Sequence, residues 1–160
     1  KSFDEALDAA CREADENGSP ITLALMDIDH FKRFNDTWGH QTGDQVLRYV
    51  ASVMARTGRA PRTAARYGGE EFAMIFPGET PEAVAKALEA VRSEISSRTL
   101  RRRSTNDELG AVTISAGYAH RRTGETAATL VERADAALYA SKRAGRNRVT
   151  SAETADRAAA

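Results

Sequence analysis

Apolar and polar positions follow two rhythms along this chain, and the switches between them divide it into helices and strands. Phe3, Ala6, Leu7, Ala10 and Cys11 recur at helical spacing, and Asn17-Gly18-Ser19-Pro20 stops that helix. Residues 21–26 form an apolar run of strand length that gives out into Asp27-Ile28-Asp29. Asp29-His30-Phe31-Lys32 then opens a short helix. A longer helix follows Asp44, with Val46, Leu47, Val50, Val53 and Met54 as its inward stripe and Gly58 at its C-terminus. Segments 63–67 and 72–76 read as two strands of a hairpin, with Gly68-Gly69 supplying positive φ at the turn. A helix over 81–95 turns Ala83, Ala87, Leu88 and Val91 inward, and a basic polar connector leads to a strand over 111–119. A last helix over 127–144 ends at Gly145, with a short strand at Arg148-Val149-Thr150.

This order implies α/β or α+β layering and is compatible with the βαββαβ arrangement of ferredoxin-like folds. At 160 residues and 41% hydrophobic content, the chain suits one domain, here 1–150, followed by a polar, Ala-rich tail at 151–160 that reads as frayed or partly helical.

Charge narrows the partners. Lys plus Arg total 23 against 23 Asp plus Glu, so no overall field exists to hold a nucleic-acid polymer or an anionic membrane. Basic residues cluster only locally, as in Arg101-Arg102-Arg103, which reads as a solvated connector, recruitment of an anionic partner being the other reading. Cys11 is the single cysteine, so an internal disulfide is excluded, a thiolate metal site is disfavoured and a reducing compartment is the simplest home. No apolar run is long enough to cross a membrane, and the expected location is cytoplasmic, or the cytoplasmic part of a larger protein.

The chemistry concentrates at two strand ends. In Arg66-Tyr67-Gly68-Gly69-Glu70-Glu71-Phe72, two carboxylates follow a glycine pair at a hairpin tip, while Asp27 stands where the first strand ends. Brought together, Asp27 and Glu70 would make a site for a hard cation, the requirement of phosphoryl and nucleotidyl transfer. Taken singly, Asp27 also reads as a strand-end or capping carboxylate and Glu70 as a solvated turn residue. Glu71, on the opposite strand face from Glu70, approaches a metal or an incoming hydroxyl, or is structural. Asp29 reads as the cap of the turn into the next helix. Free backbone N–H groups at Phe31 and its neighbours can point at a phosphate, and Lys32 is a phosphate contact or a surface lysine. Lys142 and Arg146, four apart, share a helix face if the helix continues past Gly145. The Asp44 carboxylate can accept two neighbouring N–H donors together and Asn35 can both donate and accept, although each also reads as a local helix-end residue. Trp38, His40 and Tyr67 read as structural.

Five blocks in order carry a family resemblance: Asp27-Ile28-Asp29-His30-Phe31-Lys32-Arg33-Phe34-Asn35-Asp36, Gly39-His40-Gln41-Thr42-Gly43-Asp44, the Gly-Gly-Glu-Glu-Phe hairpin, Thr113-Ile114-Ser115-Ala116-Gly117, and Ala134-Asp135-Ala136-Ala137-Leu138-Tyr139 with Lys142 to Asn147. The chain resembles the GGDEF diguanylate cyclases in the GGEEF form, over nearly its whole length. The resemblance implies a nucleotidyl-cyclase or polymerase-palm-like central mixed sheet flanked by helices. It implies Asp27, the Ile28 carbonyl and Glu70 as ligands of Mg²⁺ or Mn²⁺, two ions per half-site, and Asn35 and Asp44 as readers of guanine. Phe31, Lys32, Lys142 and Arg146 would bind phosphate. Two GTP molecules would become cyclic di-GMP and two pyrophosphates between two copies of the domain meeting antiparallel. The different-class alternative is a non-catalytic module that binds GTP or cyclic di-GMP. The family's opening turn motif is lacking ahead of the first helix, so a regulatory domain is expected to precede this piece.

One departure stands out. Many members carry Arg-x-x-Asp before the hairpin, where product binds and inhibits; here Arg59-Ala60-Pro61-Arg62 ends in a donor instead of an acceptor. Weak or absent product inhibition through that surface is the expectation.

Overall fold

The structure is a computed structural model that describes residues 2–159. In chain order the elements are α1 (Phe3–Asn17), β1 (Ile21–Ile28), α2 (Phe31–Trp38), α3 (His40–Thr57), β2 (Thr63–Arg66), β3 (Glu71–Pro77) and α4 (Pro81–Ser96). There follow β4 (Leu100–Arg101), β5 (Glu108–Gly110), β6 (Ile114–His120), α5 (Ala127–Arg143), β7 (Arg148–Ser151) and α6 (Ala152–Ala159). Five strands form one sheet in the order β2-β3-β1-β6-β7, while β4 and β5 pair separately. β1 lies antiparallel to both β3 and β6, and only β7 runs parallel to its neighbour. The first four sheet strands thus follow the βαββαβ connection expected from the alternation, giving a mixed α/β domain.

β1 is the central strand and is buried along its whole length. Its side chains divide by parity: Ala24, Met26 and Ile28 join a core with α3 and α4, whereas Ile21, Leu23 and Leu25 join a second core with α1 and α5. Covering both faces explains why this strand reads as an apolar run without alternation. β3 divides the same way, with Phe72, Met74 and Phe76 toward α3 and α4 and Ala73 and Ile75 toward α1 and α5.

Helix α5 lies directly on β6. A Cβ at Gly117 would stand 2.0 Å from the Leu138 backbone nitrogen, a contact no rotamer change can relieve. Gly117→Ala should therefore separate helix from sheet and destabilise the fold by about 3 kcal/mol, read as a lowered denaturant midpoint. An unchanged midpoint would refute this packing.

Two expectations change. The basic connector is not featureless, because it holds the β4–β5 hairpin, whose two- and three-residue strands are too short to show a pattern. Helix α3 begins at His40, so Asp44 lies in its second turn and does not precede it. The tail carries α6, with Ala152 buried in the second core, and residue 160 lies outside the described residues.

Candidate active site

The register of the sheet sets the site. Asp27 pairs with Glu71 across β1 and β3, and the Ile28 amide donates to the Glu70 carbonyl at 3.4 Å. The end of the first strand and the hairpin tip therefore lie side by side. Directly opposed residues share a sheet face, so Asp27 and Glu71 both stand on the α5 side. From α5, Lys142 brings its ammonium onto Asp27 Oδ2 as an ion pair.

Burial and like charge make this an electrostatically tense cluster. Burial, and then the Asp27 carboxylate, push the Glu70 carboxyl above the usual range, while Lys142 opposes them. Glu71 is raised by the same causes in the same order, with smaller contributions from Asp135 and Glu70. Both hairpin carboxyls thus feel Asp27.

Among the described residues, no three acidic, histidine or cysteine side chains group so as to hold a metal ion alone. The donor set still suits a hard cation that brings further oxygen ligands with a nucleotide. Asp27 is only 7% exposed, and its Oδ1 is buried without a hydrogen-bond partner. Its other oxygen already faces a cationic ammonium, so positive charge is what this point accepts.

A pH dependence follows. A carboxyl whose folded pKa is raised keeps its proton after the unfolded chain has lost it, so the ion-free domain loses stability as pH climbs through the carboxylate range. Cation binding requires the deprotonated groups. Added Mg²⁺ should therefore raise the melting temperature more at pH 8 than at pH 5, and an equal shift at both would contradict the assignment.

The glycine pair works differently from the sequence expectation. Neither Gly68 nor Gly69 is among the positive-φ residues. Gly68 instead leaves space for Glu71, since a Cβ there would lie 2.8 Å from Glu71 Oε2.

Asp29 is also reassigned. It caps no helix: the N-cap of α2 is His30, left-handed at φ 56°, with no side-chain cap bond. Asp29 is buried and accepts from Thr113 Oγ1 at 2.7 Å, Ser115 Oγ at 2.6 Å and the Asn147 amide at 3.0 Å. It thereby ties the turn after α5 to the end of β1. The alternating hydroxyls of Thr113 and Ser115 were the available signal, but which carboxylate they serve depends on strand pairing.

α2 opens three residues beyond Ile28. Its Phe34 amide reaches the His30 carbonyl at 3.0 Å, so the amides of Phe31, Lys32 and Arg33 have no intrahelical acceptor. The Phe31 side chain is core and stacks on Phe34 at 6.4 Å, leaving backbone as its contribution to any ligand. Lys32 is exposed. One turn along α2, Asn35 Oδ1 is buried and unpartnered, and it occupies the space where a Cβ on Gly43 would stand 1.8 Å away. Asn35 is thus pressed against α3 beside exposed Asp44.

Lys142 and Arg146 do not share a helical face. α5 ends at Arg143, the Arg146 amide returns to the Ser141 carbonyl at 3.0 Å, and Arg146 and Asn147 are left-handed at φ 64° and 48°. Lys142 reaches the carboxylates; the Arg146 guanidinium has no hydrogen bond or ion pair among the described residues.

Arg62 is fully engaged. It forks onto Glu79 with two bonds of 2.7 Å, donates to the Thr57 carbonyl at 3.0 Å and covers the Phe76 ring at 5.0 Å. Arg59 is exposed beside it in sequence.

A ferredoxin-like mixed sheet with carboxylates at the end of its central strand and on the adjoining hairpin defines a cyclase-type α/β domain. The family model "Diguanylate cyclase, GGDEF domain" matches residues 1–148, and the chain belongs to that family. It is 40% identical over 121 residues to the diguanylate cyclase VdcA of Vibrio cholerae, covering 76% of this chain and 36% of that one. With the diguanylate cyclase DgcP of Pseudomonas aeruginosa it shares 37% identity over 137 residues, 86% of this chain and 20% of that one. The chain thus spans about a third or less of the length of these curated relatives. Among solved structures, the GGDEF domain of DgcB from Caulobacter crescentus, in complex with c-di-GMP, superimposes with a TM-score of 0.93 at 67% identity, over 94% of this chain and 88% of that one. The active GGEEF domain of a Vibrio cholerae diguanylate cyclase gives 0.83 at 29% identity, over 92% of each.

Proposed function

We propose that this domain is catalytic and condenses two GTP molecules into cyclic di-GMP, releasing two pyrophosphates. The observation that carries the reading is the meeting of Asp27, Glu70, Glu71 and Lys142 at the ends of β1, β3 and α5. Asp27, Glu70 and the Ile28 carbonyl would hold Mg²⁺ or Mn²⁺, and the bound ions would supply charge neutralisation on the phosphate oxygens. Lys142 leaves Asp27 for the phosphates as charge there is rebalanced, joined by Lys32, Arg146 and the free amides at Phe31. Asn35 and Asp44 receive the guanine edge: the buried Asn35 Oδ1 takes a base N–H, and the Asp44 carboxylate accepts the N1 and N2 hydrogens together.

Each domain then presents one nucleotide. The 3′-hydroxyl of one attacks the α-phosphate of the other, forming the new P–O bond as the bond to pyrophosphate breaks, and in this reading Glu71 takes the hydroxyl proton. Two copies must face each other for both bonds to form, so turnover rises with dimer population. A preceding regulatory segment would set that population.

Titrating GTP with and without Mg²⁺ tests the substrate assignment. Binding should tighten with the metal in wild type and lose that response in Glu70→Gln; an identical response in both would overturn the metal assignment. Product should inhibit weakly, because Arg62 is an occupied donor where an acceptor is needed. Tight, Arg59-dependent binding of cyclic di-GMP would contradict this.

A further inference from the structure

A strongly basic cleft lies apart from the carboxylates, on the outer side of α3. Arg48, Arg98, Arg101 and Arg103 line a cavity of about 590 Å³ between α3 and β4. Arg48, Arg102 and Arg103 line an adjoining one of about 330 Å³. No aspartate or glutamate lines either, in a chain whose acidic and basic totals are equal at 23. Gathering five guanidinium groups raises the local potential, and nothing within the lining compensates it.

The backbone that carries these side chains is fixed in advance. Gln45 on α3 donates Nε2 to the Arg101 carbonyl at 2.6 Å and accepts the Arg103 amide at 3.1 Å. Arg102 donates to Thr42 Oγ1 at 3.1 Å and so serves as a clamp between hairpin and helix. The remaining four are available. Arg98 lies over the Tyr49 ring at 5.1 Å, and Arg101 reaches the Asn106 carbonyl at 3.4 Å. Among the described residues, the side chains of Arg48 and Arg103 make no hydrogen bond or ion pair.

We infer that this cleft binds a small molecule bearing contiguous phosphates, of nucleotide size, at a site separate from Asp27 and Glu70. Guanidinium forks match phosphate oxygens in pairs, and a pre-formed concavity of several hundred Å³ suits a ligand of that size. Balanced overall charge provides no wider field for a polymer. Free polyphosphate and a nucleoside triphosphate share this chemistry. The inference stands on these side chains alone and does not require the domain to be catalytic.

Calorimetric titration with inorganic tripolyphosphate, in EDTA so that no metal bridges the anion to the carboxylates, tests it on wild type, Arg48→Ala/Arg103→Ala and Lys142→Ala. Both replaced arginines are exposed and hold no structural bond through their side chains, and unchanged circular dichroism would confirm the fold. The double variant should bind at least about tenfold more weakly, with Lys142→Ala close to wild type. A parallel titration with GTP distinguishes the sources: equal affinity means that phosphates alone are recognised, and tighter GTP binding lost in the double variant adds the nucleoside. No binding by wild type, or loss in Lys142→Ala but not in the double variant, would overturn the inference. Capture on anionic lipid vesicles without tripolyphosphate binding would overturn it too.

Discussion

Glu70→Ala is expected to reduce cyclic di-GMP formation at least about a thousandfold, the scale on which removing one electrostatic stabiliser of a transition state acts. The residue stands at the hairpin tip against β1, raised above the usual carboxylate range by burial and by Asp27. Removing it relieves a repulsion in the ion-free protein, so the variant should fold at least as stably as wild type. Lost turnover with retained or improved stability is a pairing that a merely structural role would not produce. Near-normal product formation would remove Glu70 from the machinery, and a large fall in melting temperature would show that its role is in packing.

The second large effect concerns base choice. Asn35 is held against α3 only because position 43 is glycine, with Oδ1 lying where a Cβ would be. Gly43→Ala must displace Asn35, so it should mimic Asn35→Ala without touching any group that contacts the base. A site whose buried polar atoms are left unpaired by the wrong base discriminates strongly. Both variants should lower the preference for GTP over ATP by about a hundredfold, expressed as a ratio of kcat/KM values. If Gly43→Ala leaves that ratio unchanged, Asn35 does not read the base from this position.

These two residues also show what was legible in sequence. Asp27 and Glu70 are legible as a pair because an apolar run ending in a carboxylate is a local signal and the sheet arrangement that the family resemblance implies brings the end of β1 to the hairpin tip. The chemistry of Asn35 and Asp44 leaves a local helix-end role open and the family resemblance selects them, but the constraint from Gly43 depends on how closely α2 meets α3, which no periodicity encodes. Asp29 reads from sequence as a cap for a related reason: its three donors come from Thr113, Ser115 and Asn147, more than eighty residues away in sequence. Lys142 and Arg146 were placed by counting along a helix that ends before Gly145, where the left-handed pair at Arg146 and Asn147 turns the chain back. Strand and helix positions came from periodicity, whereas the β4–β5 hairpin, held to α3 through Gln45 and Arg102, had too few residues to announce itself.

The most direct measurement is to incubate the domain at high concentration with GTP and Mg²⁺, alone and fused to a dimeric coiled coil, and to separate the nucleotides by chromatography. The account predicts cyclic di-GMP from GTP and none from ATP, with more formed by the fusion. No cyclic dinucleotide from the fusion would contradict it and leave a domain that binds nucleotide without turning it over.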